Sequence, residues 1–387
     1  MPSITNTNLS NSSYLKGLDG LRFIGSFVIL IHHIGSRKNV MIESLLKHNS
    51  ITQSMGNSIM TLFFTLSGFL ITYLLLEEKR QTKTINIKGF YIRRICRIWP
   101  LYYIILILGI TVYVHVKLFQ TPQTLANIKD DYFLIVVLFF FHMSNFYMFL
   151  TSKIWTLMYY WSLGVEEQFY AFWPWLVKKT NNYLKIFTTV LVIKIGLKFL
   201  VAISLILFSF TAQEVTILKK IEIFLNTLRF ESFAIGSIAA LFLIEKKEKI
   251  LHFIYKPYIQ WINITILLLC IPFHYLTNSM HIVYSVCFSI IILNTVSNPK
   301  VIFYLDNIYV NYLGKISYGL YMYQIPLITL VLNISKPYYN ENNLIVWNLV
   351  VYFFSIASTI LISIFSYEFL EKKIIAFSKR ITMPKSN

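Results

Sequence analysis

Residues 18–34 read LDGLRFIGSFVILIHHI, an apolar run of helix length with an arginine, Arg22, near one end and a histidine pair, His32 and His33, at the other. Arg22 and His33 stand eleven positions apart. At about 100° per residue that is three turns plus roughly 20°, so the two side chains point the same way, about 16 Å apart along the axis. An ionisable group inside a membrane segment is costly and marks a functional site, unless its side chain snorkels to the interface. On this stretch alone both readings stand, and the rest of the chain has to separate them.

Composition supplies the setting. Of 387 residues, 56% are hydrophobic, 17% aromatic and only 13% charged, with a mean hydropathy of +0.60. That excludes an ordinary water-soluble domain and predicts an all-α, polytopic integral membrane protein. The net charge of +18 is gathered in short loops between apolar runs. There it sets orientation in the bilayer, so no nucleic-acid partner is inferred. Residues 1–17 form a polar tail without the basic-apolar-small order of a cleaved signal, so the first helix is expected to stay. Cys96, Cys270 and Cys287 are scattered, and no metal-ligand spacing, glycine-rich phosphate loop or GxSxG elbow occurs.

Apolar runs fall at 18–34, 58–76, 98–116, 132–150, 161–177, 184–208, 225–244, 259–273, 282–296, 312–332 and 344–365. Lys79, Arg80, Lys83, Lys88, Arg93, Arg94 and Arg97 put the loop after the second run in the cytoplasm, and the N-terminus with it. Lys372, Lys373, Lys379, Arg380 and Lys385 place the C-terminus there too. Two cytoplasmic termini require an even number of crossings. Counting from the two ends first disagrees between Val116 and Trp161, which singles out Tyr132–Leu150, with its His142, Ser144 and Asn145. That run is expected to be re-entrant or interfacial, leaving about ten transmembrane helices. Lys194 and Lys198, four apart on one face, are expected to snorkel. The expected organisation is a polar tail over 1–17, a transmembrane domain over 18–370 and a basic cytoplasmic tail over 371–387.

Two segments carry candidate chemistry. FYIRRICRIWPLYY, residues 90–103, sets Arg94 and Arg97 three apart on one helix face, beside Arg93. Guanidinium forks match phosphate oxygens, while anionic lipid and topology are the plainer uses of such a cluster. WSLGVEEQFYAFWP, residues 161–174, holds adjacent carboxylates about 100° apart. Glu166 is expected to face the bundle interior, with Arg22 or His33 as partner, and Glu167 to lie nearer the rim. Arg229 and Glu231 read as a local ion pair, and Ser67 and Gly68 as small residues for close packing.

With GLDGLRFIGSFVILIHHI, FFTLSGFLIT, RFESFAIGSIAAL, LGKISYGLYMYQIPL and SYEFLEKKI in order around those segments, the chain resembles membrane-bound acyltransferase family 3, the integral-membrane O-acetyltransferases of bacterial surface polysaccharides. The resemblance implies a multi-pass enzyme of the bacterial inner membrane. Its donor would be an acyl-CoA, acetyl-CoA first, taken from the cytoplasmic side, and its acceptor a carbohydrate hydroxyl. No metal or bound cofactor is implied, and membrane lipid and separate envelope glycan-biosynthesis proteins are the remaining partners.

The family's Arg-x10-His motif falls on Arg22 and His33, its RxxR motif on Arg94 and Arg97, and its SxE carboxylate on Glu166. The resemblance gives His33, Glu166 and Arg22 the chemistry and Arg94, Arg97 and Arg93 the acyl-CoA phosphates. Gln324 stands where the family often has histidine, and Glu371, Lys372 and Lys373 where it often reads IEKP. Some relatives carry an appended esterase-like domain, and none is expected here. A non-enzymatic exporter or flippase of a polysaccharide or lipid-linked sugar is the alternative, weakened by the lack of an internal hydropathy repeat.

Overall fold

In lipid every backbone polar group must find its partner within the chain, which leaves a single-chain segment the helix. The computed structural model describes residues 15–41, 50–120, 122–151, 157–208, 210–271 and 280–382, and these contain helices and no strand. In order they are α1 (Leu18–Met41), α2 (Ser50–Thr82), α3 (Ile87–Leu108), α4 (Pro122–Phe140), α5 (Ser144–Thr151), α6 (Trp161–Lys179), α7 (Tyr183–Leu207) and α8 (Ala212–Leu228). There follow α9 (Phe230–Ile244), α10 (Glu248–Ile254), α11 (Pro257–Cys270), α12 (Met280–Ser297), α13 (Ile308–Lys315), α14 (Ser317–Ser335), α15 (Leu344–Ser366) and α16 (Lys372–Thr382).

Seven helical stretches among the described residues are long and apolar enough to cross a membrane: 18–37, 58–82, 87–113, 183–207, 212–244, 280–297 and 344–382. The pair α10 and α11, bent by 68°, makes an eighth if it is one span. The run 132–150 does not form one long helix. It breaks between α4 and α5 at His142, whose φ is +57°, and leaves an apolar helix of only ten residues, Asp131–Phe140.

A second break falls where a single run over 225–244 is expected. Arg229, with φ +48°, ends α8 and starts α9, and left-handed backbone at a non-glycine residue needs support from its surroundings. That support is ionic. The Arg229 side chain donates from Nε to the carbonyl of Asn226 at 3.1 Å and from a terminal nitrogen to Thr61 Oγ1 at 2.7 Å. Lys194 Nζ donates to the carbonyl of Leu225. Two cations therefore sit on the carbonyl end of α8, where the helix dipole favours them, and Glu231 lies in the first turn of α9, where it favours an anion. Lys194 does not snorkel as expected: it is buried, because the exposed carbonyls of the broken helix offer it a nearer partner than water.

The core forms where α2, α6 and α9 meet. Phe169 stacks on Phe233 at 4.1 Å between ring centroids, and Phe64 meets Phe233 at 5.1 Å. Helices α2 and α9 approach to backbone contact because Gly68 and Gly236 carry no Cβ. A Cβ on Gly68 would lie 2.2 Å from the carbonyl oxygen of Phe233, and one on Gly236 2.1 Å from that of Thr65. Gly68→Ala and Gly236→Ala should each destabilise by about 1–3 kcal/mol, read as a lower Tm in detergent. Gly196→Ala, with nothing within 4 Å of the added carbon, should leave Tm unchanged.

Candidate functional site

The start of α3 is set by Asn86, whose side chain accepts from the Gly89 amide at 2.8 Å and caps the helix. From there the helical period turns Arg94 and Arg97 to one side and Arg93 to another. Arg94 and Arg97 line a cavity of about 120 Å³, together with Arg22 of α1, Glu166 and Tyr170 of α6, Ser67 of α2, and Ser317, Tyr318 and Tyr321 of α14. Five helices thus bring Arg22, Arg94, Arg97 and Glu166 to one place. Arg93 is not among them: it pairs with Glu78 at 3.7 Å, at the end of α2.

Charge in the cavity is unevenly matched. Arg22 pairs with Asp19, one turn back on α1, at 2.8 Å. The Arg94 guanidinium lies over the rings of Phe90 and Tyr170, at 5.6 and 5.5 Å, so that aromatic faces hold it. Among the described residues neither Arg94 nor Arg97 makes a salt bridge. Two permanent cations, partly buried and without a salt bridge among the described residues, face a cavity that also holds the Glu166 carboxylate, and their guanidinium forks have the geometry to take an anion there.

Glu166 accepts from Tyr170 Oη at 2.9 Å and from Ser67 Oγ at 3.1 Å. Glu167 does not lie at the rim as expected. It accepts from Trp99 Nε1 at 3.3 Å, and its other oxygen is buried with no hydrogen-bond partner. The two carboxylates separate as the helical step requires, one towards α2 and the other towards α3.

His33 does not line this cavity. Its neighbours are His32 and Arg37 on α1 and Gln324 on α14. The expected pairing of His33 with Glu166 is not the arrangement found, since the carboxylate is engaged by Ser67 and Tyr170. The common face of Arg22 and His33 is present nonetheless, because α14 meets both: Ser317 and Tyr321 at the cavity with Arg22, and Gln324 at His33. His32 turns to α2, where a Cβ on Gly56 would stand 2.5 Å from its Nε2.

Several members of the site escaped the sequence reading. Asp19 could have been found from its i,i+3 spacing to Arg22. Tyr170, four residues beyond Glu166, was placed on the Glu166 face by that spacing and is found there. Ser67 and Tyr321 could not have been found so, because only the packing of α2 and α14 against α6 gives them their partners. No group of three or more potential metal ligands occurs among the described residues.

A family model described as an acyltransferase domain matches residues 15–368. The chain is 25% identical to the peptidoglycan O-acetyltransferase OatA of Listeria monocytogenes, over 95% of this chain and 57% of that protein. A provisionally named O-acetyltransferase of Staphylococcus aureus strain COL is 29% identical over 94% of the chain and 58% of its own length. A provisionally named peptidoglycan O-acetyltransferase of Bacillus subtilis strain 168 is 26% identical over 95% and 57%. The chain therefore spans a little over half the length of these curated relatives. No solved structure matches it.

Glu166→Ala leaves the Tyr170 and Ser67 hydroxyls without their acceptor and should destabilise by about 1–3 kcal/mol. Glu166→Gln keeps an acceptor oxygen and should retain most of the stability. Thermal unfolding in detergent compares the two.

Proposed function

The chain belongs to this family of acyltransferase domains, and on that premise we propose that it moves an acetyl group from acetyl-CoA to a hydroxyl of a cell-envelope carbohydrate. The observation that carries the reading is the pair of guanidiniums without a salt bridge among the described residues, Arg94 and Arg97, joined by Arg22 at one cavity. Coenzyme A presents phosphates, and guanidiniums bind phosphate through paired, charge-assisted hydrogen bonds. Peptidoglycan, named as the acceptor of the Listeria relative, is the first acceptor to test.

In this reading α6 and α14, 19 residues each, also cross the membrane. With the seven long spans and the bent pair they make ten, and both termini lie in the cytoplasm. The arginines then stand at the cytoplasmic end of the bundle, in the bacterial inner membrane, and His33 about 16 Å deeper along α1. Arg94, Arg97 and Arg22 hold the nucleotide phosphates while the pantetheine arm runs inward beside α14.

His33 acts as general base. It takes the proton of the acceptor hydroxyl as that oxygen bonds to the thioester carbon. The C–S bond breaks, and the imidazolium returns the proton to the leaving sulfur. The products are the acetyl ester and free coenzyme A. Glu166 serves the cavity rather than the imidazole, fixing Tyr170 beneath Arg94.

Arg94→Ala and Arg97→Ala should each raise KM for acetyl-CoA about 10- to 100-fold, whereas Arg93→Ala should stay near wild type. Purified full-length protein in detergent, titrated with acetyl-CoA, gives the comparison, and equal effects at all three positions would remove the phosphate role. His33→Ala should lower transfer about 100-fold or more, with acetyl-CoA binding retained and His32→Ala much less affected. Transfer and acetyl-CoA hydrolysis are measured separately, and unchanged transfer by His33→Ala would end the proposal.

A further inference from the structure

Gln324 sits in the middle of α14 with no exposed surface. Its Nε2 donates to the carbonyl of Tyr321, one turn back on the same helix, at 3.1 Å. That bond fixes which way the amide is turned, because only nitrogen can donate to a carbonyl. The amide oxygen is not used by that bond, and across the helix interface the Gln324 side chain meets the His33 imidazole. On each of the two side chains one polar atom is buried without a hydrogen bond: Oε1 of Gln324 and Nδ1 of His33. Buried polar atoms left unpaired are costly, and catalytic hydrogen bonds are often long until substrate closes the site.

We propose that Gln324 is the positioning residue for His33: its Oε1 accepts from Nδ1–H, holds the imidazole in one tautomer and so presents an unprotonated Nε2 to the acceptor hydroxyl. The inference rests on His33 being the general base. An amide oxygen can only accept, so the ring nitrogen facing it must carry the hydrogen, and the lone pair of the neutral ring then belongs to the other nitrogen. Glutamine does this without adding charge, whereas a carboxylate there would need a partner of its own.

The link to the rest of the site is direct. Tyr321, whose carbonyl orients Gln324, lines the arginine cavity, and its hydroxyl is hydrogen-bonded to Ser162 Oγ at 2.7 Å and to the Tyr159 carbonyl at 2.8 Å. One turn of α14 therefore connects the anion cavity to the histidine.

The test uses full-length protein labelled with 15N-histidine, with the His33 signals identified by their loss in His33→Ala. Wild type should show His33 as one neutral tautomer, with Nδ1 protonated and Nε2 bare. Gln324→Leu, which keeps the size and removes the acceptor, should give a mixture of tautomers. The same variant should lower kcat for acetyl transfer about tenfold or more, with KM for acetyl-CoA within twofold of wild type. Gln324→Glu, which keeps an acceptor oxygen at the same reach, should recover activity above Gln324→Leu. In the His33→Ala background Gln324→Leu should cause no further loss.

A wild-type His33 protonated on Nε2, or a Gln324→Leu protein with wild-type tautomer and kcat, would overturn the inference. If Gln324→Leu does not fold, as judged by lost acetyl-CoA binding, Gln324→Met serves in its place with the same expectations. Because the spectra need no turnover, wild-type protein that transfers no acetyl group would refute the acetyltransferase reading, while the tautomer comparison still decides the role of Gln324.

Discussion

A guanidinium cannot shed its proton, so an arginine drawn into an apolar bundle must be met there by something that tolerates positive charge. The architecture around the cavity follows from meeting three of them. Asp19 meets Arg22 within α1, aromatic faces of α3 and α6 meet Arg94, and Arg97 is left to the cavity itself. Glu166 contributes negative charge at the same place, held by Ser67 and Tyr170 rather than by a cation. Arginines that only oriented loops would be expected at the water interface with their heads free. Here five helices converge on them.

Helix α14 gives that convergence its depth. Its residues at 317, 318 and 321 close one side of the cavity, and 324, one turn further, reaches the histidine of α1. Two helices in contact along their length can relate a charged mouth to a titratable group deeper in, with no loop between them. The same arrangement suits a reaction in which a charged carrier stays at the mouth while its uncharged end reaches inward.

Much of this was readable from spacing. The eleven-residue interval of Arg22 and His33 and the three-residue interval of Arg94 and Arg97 each place side chains on one face, and both faces are present. The same step of about 100° separates Arg93 from Arg94, and grouping all three as phosphate ligands ignored it. Glu166 was left with Arg22 or His33 as partner because a single helix does not reveal how its neighbours are rotated, and Ser67 was read as a packing residue for the same reason. The breaks at His142 and Arg229 had no local signal, since neither is glycine or proline. Each left-handed residue is held by contacts from other helices, at Arg229 by Thr61 of α2. Lys194 was misread because its partner exists only once α8 has broken.

That last dependence reaches into how the protein is made. Lys194 leaves the ribosome 31 residues ahead of the Leu225 carbonyl that receives it, so α7 must enter the membrane carrying a lysine near its middle before any partner exists. A lysine at the centre of a helix costs about 2.5–3.5 kcal/mol on insertion, and with Lys198 one turn on, the apolar remainder of α7 has two such charges to offset. Arg229 and Glu231 follow as an opposed pair on the next hydrophobic stretch. The native contact of Lys194 can therefore close only after α8 has been synthesised, although α7 has entered the membrane before it.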